Sequence, residues 1–205
     1  MPLRTWRVEW VVERSRDMSA SGVHPETRLG FLRCQRCRRV FRTEDVRDGF
    51  PHCGTEAESE PWPVSLGERL FCATEEFFRR GDKELTLILA CGFLETLLEM
   101  FLIDLFLRQG RPPAWIQLIL RKNRSLNLRL TYLLKETLNM NFSSIIQGTR
   151  FEGFDRRWAT IRSTKSILLH AKPSDLDEKV SQHAYDLSRE SLTLFAWLNN
   201  RYCVY

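Results

Sequence analysis

One stretch limits the fold of this chain more than any other. Leu85 to Leu107, LTLILACGFLETLLEMFLIDLFL, is apolar on nearly every side of a helix. Such a helix has to be surrounded, by lipid or by other helices. Three acids decide between the two: Glu95, Glu99 and Asp104 lie inside the run, and acids within a membrane span cost several kcal/mol on insertion scales. The stretch therefore predicts the buried spine of a soluble domain. Asp82 is placed to cap it, and Gly110, Pro112 and Pro113 end it. At 1.5 Å per residue the spine is roughly 40 Å long.

The sequence around it supplies the neighbours. From Ser65 the apolar period is about 3.6. Ser65 and Glu68 read as a capping box, Leu70, Phe71, Phe77 and Phe78 give the apolar contacts, and Gly81 stops the helix. Ala114–Lys122 reads as a short helix. Ser125–Leu138 carries a leucine stripe at 126, 130, 133, 134 and 138. Glu152 to His170 reads as a helix that Pro173 breaks. Ser174, with Asp177 three residues on, reads as the cap of a last helix running to about Arg201. Cys72, Cys91 and Cys203 are expected as small core or near-surface residues, and Trp158 and Trp197 as packing anchors. The expectation for 65–205 is a helical bundle, and for the whole chain a mainly α fold.

Residues 1–64 have another character. Thr5 to Glu13 alternates, with Trp6, Val8 and Trp10 on one face, and reads as a strand. Cys34-Gln-Arg-Cys37 is a turn that aims two thiolates at one point, half of a tetrahedral metal site. Val40 and Phe41 follow as a short strand. The second half of the site would be Phe50-Pro51-His52-Cys53-Gly54. This arrangement resembles a zinc ribbon whose usual Cys-Pro-x-Cys-Gly knuckle has Phe50 in place of its first cysteine. The resemblance implies a structural zinc on Cys34, Cys37 and Cys53, with His52 as the nearest fourth ligand and His24 as the other candidate. Without metal, the same ribbon would fold on its apolar contacts alone. Arg33, Arg36, Arg38, Arg39 and Arg42 crowd the first knuckle with no acid among them, which suits either phosphate contact or a solvated rim. Glu56 to Pro63, acidic and proline-bearing, reads as the linker between two domains.

Bulk charge points the same way. The net charge is +5, which favours an anionic partner. The first lysine is Lys83, so arginine alone supplies the N-terminal cations. The chain starts without the apolar core of a signal peptide. Six cysteines in that setting suit reduced thiols or metal, so a cytoplasmic protein with no membrane partner is expected.

The second chemical feature is Ile161–Pro173, IRSTKSILLHAKP. On a helix, Arg162, Ser166 and His170 follow one side, and Ile161, Leu168 and Leu169 can face a core. A histidine beside cations titrates near neutrality, with its pKa lowered by the neighbouring charge. The plain alternative is a helix end whose basic residues complement the dipole. The run Lys165-Ser-Ile-Leu-Leu-His170-Ala-Lys-Pro resembles the signature of the HEPN superfamily, helical domains of many RNA-cutting toxins and defence proteins. That signature is Arg, a polar residue often Asn, a few residues, then His and commonly Gly-Lys-Pro. Here Lys165, Ser166 and Ala171 stand for Arg, Asn and Gly. The spine segment Leu89–Leu98 and the helix order are also similar, over roughly residues 66–201.

The resemblance implies a metal-independent endoribonuclease acting as a homodimer, with two motifs in one cleft and, in toxin systems, an antitoxin partner. His170 would move a proton, and Lys165 with Arg162 would hold charge on the phosphate beside the Ser166 hydroxyl. Glu95 and Glu99, four apart on one face, would either orient the histidine or pair with nearby arginines. The alternative is a catalytically inactive bundle that binds RNA, a nucleotide or a protein.

Overall fold

The computed structural model describes residues 27–47, 49–54, 57–170 and 176–204. The strand expected around Trp6, Val8 and Trp10, and the residues His24, Pro173 and Ser174, lie outside them. Within them the protein is mainly helical, with a three-stranded antiparallel sheet on its N-terminal side. The helices are α1 (Ser65–Arg79), α2 (Lys83–Arg108), α3 (Pro113–Lys122), α4 (Leu134–Leu138), α5 (Phe142–Ile146), α6 (Phe154–His170) and α7 (Glu178–Tyr202).

The apolar run is α2, and it is the spine. Asp82 caps it, its side chain accepting from the Leu85 N–H at 3.0 Å. Gly110, at φ +72°, takes the left-handed conformation that ends a helix cleanly. Leu87, Phe93, Leu94, Leu98 and Leu102 are fully buried. Among the described residues α2 is the one helix long and apolar enough to cross a membrane. Here its neighbours are protein: α1 and α7 pack along it, and α6 and α3 cover the rest.

Other boundaries differ from the expected ones. Ser65 does not cap α1; it is the first helical residue, and Val64 holds the cap position with no side-chain hydrogen bond. The start is set by packing, because Gly67 lies so close to Pro63 that a Cβ there would fall 2.9 Å from the proline ring. Asp177 is the cap of α7 and accepts from the Lys179 N–H at 3.0 Å. The leucine stripe after Ser125 is not one regular α-helix. Leu128–Leu133 is a π-helical segment that leads into α4. Leu133 and Leu134 are buried, while Leu128 and Tyr132 face outward.

The sheet has strands β1 (Phe31–Cys34), β2 (Val40–Arg42) and β3 (Ser59–Pro61), in the order β2-β1-β3. The segment read as a linker is therefore partly sheet: Ser59, Glu60 and Pro61 pair with Cys34, Arg33 and Leu32. All four residues of β1 are buried, because both of its faces are used. Strand side chains alternate. Phe31 joins the bundle core beside Trp62, with rings 5.9 Å apart, whereas Leu32 and Cys34 form a separate small core with Val46 and Phe50.

Ionic contacts join sheet to bundle. Arg33, 6% exposed, donates to Glu60 at 2.5 Å and to Asp104 of α2 at 2.6 Å. Arg38 reaches Glu60 at 3.1 Å and Asp104 at 3.5 Å. Asn199 of α7 donates to the same Asp104 oxygen at 3.1 Å. The next residue, Asn200, donates to the Val40 carbonyl and accepts from the Val40 N–H, each at 2.7 Å.

Candidate functional site

The described residues hold two chemical centres. The first is built by two turns of the ribbon. Arg38 takes a left-handed conformation, φ 62°, and its N–H bonds back to the Cys34 carbonyl at 2.8 Å, which closes the Cys34–Cys37 loop. In the second turn the N–H groups of Cys53 and Gly54 both donate to the Phe50 carbonyl, at 3.1 and 2.8 Å, and left-handed Gly54 returns the chain. The loops bring Cys34, Cys37 and Cys53 together, with their sulfurs within 4.8 Å of one another. A tetrahedral ion with metal–sulfur bonds of about 2.3 Å separates its sulfurs by roughly 3.8 Å, so this cluster could hold a metal ion.

The thiols already behave as a group. Burial raises Cys37, but the Arg39 backbone N–H and the thiols of Cys53 and Cys34 outweigh it, and the net direction is down. Burial and the thiols of Cys37 and Cys34 push Cys53 up to about 11. His52 is exposed, and its ring is not among the donors gathered here. Phe50 is 2% exposed and sits 5.4 Å from the Phe41 ring, filling the small core.

Three of the five arginines around this knuckle have acid partners. Arg33 and Arg38 are held by Glu60 and Asp104, and Arg42 by Glu44 at 3.1 Å. The sequence could not show this, since Glu60 and Asp104 lie far along the chain.

The second centre is a polar face where α6 crosses α2. Lys165 lies 3.2 Å from Glu95. Arg162 donates to the Asn127 side chain at 2.9 Å. Arg129, in the π-helical segment, pairs with Glu99 at 2.7 Å and donates to the Asn123 carbonyl at 3.0 Å. Glu95 and Glu99 are thus partners of cations. Asn127 and Arg129 were not singled out by the sequence reading, because only the tertiary fold brings them to α6. The π-helical stretch is itself a pointer, since such segments concentrate at functional sites.

Ser166 is exposed, and His170 is the last residue of α6, its side chain outside the described part. Ile161 is buried and Leu168 half-buried, as an inward stripe requires. Leu169 is not in the core; it is 56% exposed, and Ile167 is 58% exposed beside it.

Cys91 lies beneath this face, its thiol 3.9 Å from the Ile161 carbonyl. Burial pushes it up to about 12, Glu95 adding to the effect and Lys165 and Arg162 opposing it. It is a packed thiol. Trp158 is buried against Phe142, Phe154 and Phe195, and half-buried Trp197 packs on Phe151, so both serve as packing anchors.

No family model, no curated protein and no solved structure matches this chain, so its chemistry is read from these two centres alone.

Proposed function

We propose that the protein is a HEPN-like, RNA-processing bundle of the cytoplasm. In this reading α6 presents Arg162, Lys165, Ser166 and His170 to an RNA backbone, and the ribbon carries a structural zinc on Cys34, Cys37 and Cys53. The supporting observation is the order of side chains on α6. Arg162 is oriented by Asn127 and Lys165 is aligned by Glu95 in the turns just before His170.

The chemistry is RNA cleavage by proton transfer. His170 takes the proton of the 2′-OH, or gives one to the leaving 5′-oxygen. The two cations stabilise charge on the phosphorus oxygens as the 2′-oxygen attacks. Exposed Ile167 and Leu169 beside the motif suit a second copy of the chain, which would bring two such faces into one cleft. Zinc belongs to this account only as a brace of the ribbon, through the soft sulfur donors it prefers.

One observation favours a second reading, in which the face binds RNA without cutting it. The Glu95 carboxylate already holds Lys165, which leaves it less free for phosphate. RNA incubated with the full chain in chelator separates the two. Cleavage that persists in chelator and drops by 10²-fold or more in His170→Ala supports the enzyme. Salt-sensitive binding without cleavage, in the wild type and in Lys165→Arg, supports the binding module. Absence of both removes RNA from the account.

A further inference from the structure

We infer that the three-thiol centre keeps one coordination position for a donor from outside the ribbon, and that a low-molecular-weight thiol is the ligand that fills it. The inference rests on the reading of Cys34, Cys37 and Cys53 as a zinc site.

A structural zinc takes four protein ligands in a closed tetrahedron, whereas a site with three protein ligands completes its shell from solution. Among the described residues the centre has the backbone of a four-ligand site and the side chains of a three-ligand one. The second knuckle is formed: Phe50 pairs with Gly54, and the N–H groups of Cys53 and Gly54 converge on the Phe50 carbonyl. At the position where a fourth sulfur belongs, the side chain is a phenyl ring. The ring belongs to the small core with Leu32, Val46 and Phe41 and offers an ion no donor atom. His52 next to Cys53 stays exposed and outside the donor group.

Access favours an outside donor. Cys34 is buried, but Cys37 and Cys53 are only half-buried, and Gln35, Arg36, Pro51, His52 and Gly54 around them are exposed. Two of the three cysteines therefore lie on a side that solvent reaches. Arg36 and Arg39, for which no acid partner is found among the described residues, flank that side and favour an anionic donor. A thiolate meets both demands. It is soft, as a three-sulfur zinc centre prefers, and it is negative. Binding is a ligand exchange with no redox step. The thiol would give its proton to buffer and its sulfur would take the position that Cys34, Cys37 and Cys53 leave to solvent on a bound ion.

Cobalt substitution of the full chain tests this, since each thiolate bound to Co(II) adds sulfur-to-metal charge-transfer intensity. The probe is 2-mercaptoethanol. The expected result is a saturable rise of about one-third in that intensity, from three sulfurs to four, with one equivalent of thiol bound per cobalt. The rise should be unchanged in His24→Ala and His52→Ala, and Cys53→Ser protein should start, before thiol is added, with about one-third less of that intensity because it holds two sulfurs. A spectrum that is already complete and ignores added thiol overturns the inference. So does a thiol response that appears only after His24 or His52 is replaced, because the chain then supplies the fourth ligand itself. If cobalt does not bind, or binds equally to Cys34→Ser, the metal site fails as well, and that outcome is distinguishable because before any thiol is added the thiolate band is absent or does not depend on Cys34.

Discussion

The protein uses its arginines in two opposite ways. At the joint between sheet and bundle, Arg33 is buried and its guanidinium is spent on Glu60 and Asp104. On the α6 face, Arg162 is half-exposed and is steered by a neutral amide, leaving its charge uncompensated at that contact. A buried cation must be matched by carboxylates, because desolvation costs more than any single contact returns. An exposed one needs only orientation. Arginine density in the sequence therefore says little about phosphate binding. In the cation-rich knuckle, which suited either phosphate contact or a solvated rim, Arg33, Arg38 and Arg42 are tied to acids.

The contrast is broken most directly at Asp104. Asp104→Ala leaves Arg33 buried with half its partners, and the expected loss of stability is about 3–5 kcal/mol, read by urea denaturation. A loss below that of a surface pair would erase the distinction between the two regions.

The next effect is one of pH. Cys91 is pushed up to about 12 by burial, and burial, with Asp104 adding to it, also raises Cys203. A thiol whose pKa is raised by folding stabilises the fold below its unfolded value, near 9, and loses that contribution as pH climbs toward the folded value. Stability should fall above about pH 9, by roughly 1.4 kcal/mol per pH unit for each thiol. Urea midpoints at pH 8 and pH 10 measure it, and Cys91→Ala should flatten the slope. An equal slope in that variant would show that other groups drive the alkaline loss.

The α6 face should respond in binding and hardly in stability. Glu95→Gln frees Lys165 from its carboxylate, so RNA affinity should rise several-fold at low salt. Its stability should move by no more than about 1 kcal/mol, the range of exposed pairs. Unchanged affinity would mean that Lys165 does not meet RNA. The smallest effect belongs to Arg42, exposed and paired to exposed Glu44. Arg42→Ala should change stability by about 0.5 kcal/mol or less, although it lies only nine residues from Arg33.

The elements that local chemistry dictates could be read from the chain. The spine helix, its Asp82 cap and its glycine stop follow from periodicity and turn residues, and so does the meeting of three cysteines, because each knuckle is local. What could not be read depends on distant partners. Glu60 looked like linker acidity until β1 took it as a neighbour. Ser65 lost its cap role to the packing of Gly67 on Pro63. The leucine stripe after Ser125 was legible as apolar, but its π-helical winding was not, since the same spacing serves both. The α6 face was half legible. Its cations were visible in sequence, whereas Asn127 and Arg129 reach it from another segment.

Asn200 gives the sheet a property that its strands lack. β2 is an edge strand, and Val40 turns both of its backbone groups outward. The Asn200 amide meets them as the backbone of a fourth strand would. A bare edge is an invitation to further strands from other molecules, and this side chain declines it. The partner is 160 positions away, near the chain's far end. During synthesis the ribbon emerges first and its edge stays open until α7 has left the ribosome. The period of greatest exposure to edge-to-edge association is therefore the time taken to translate the bundle.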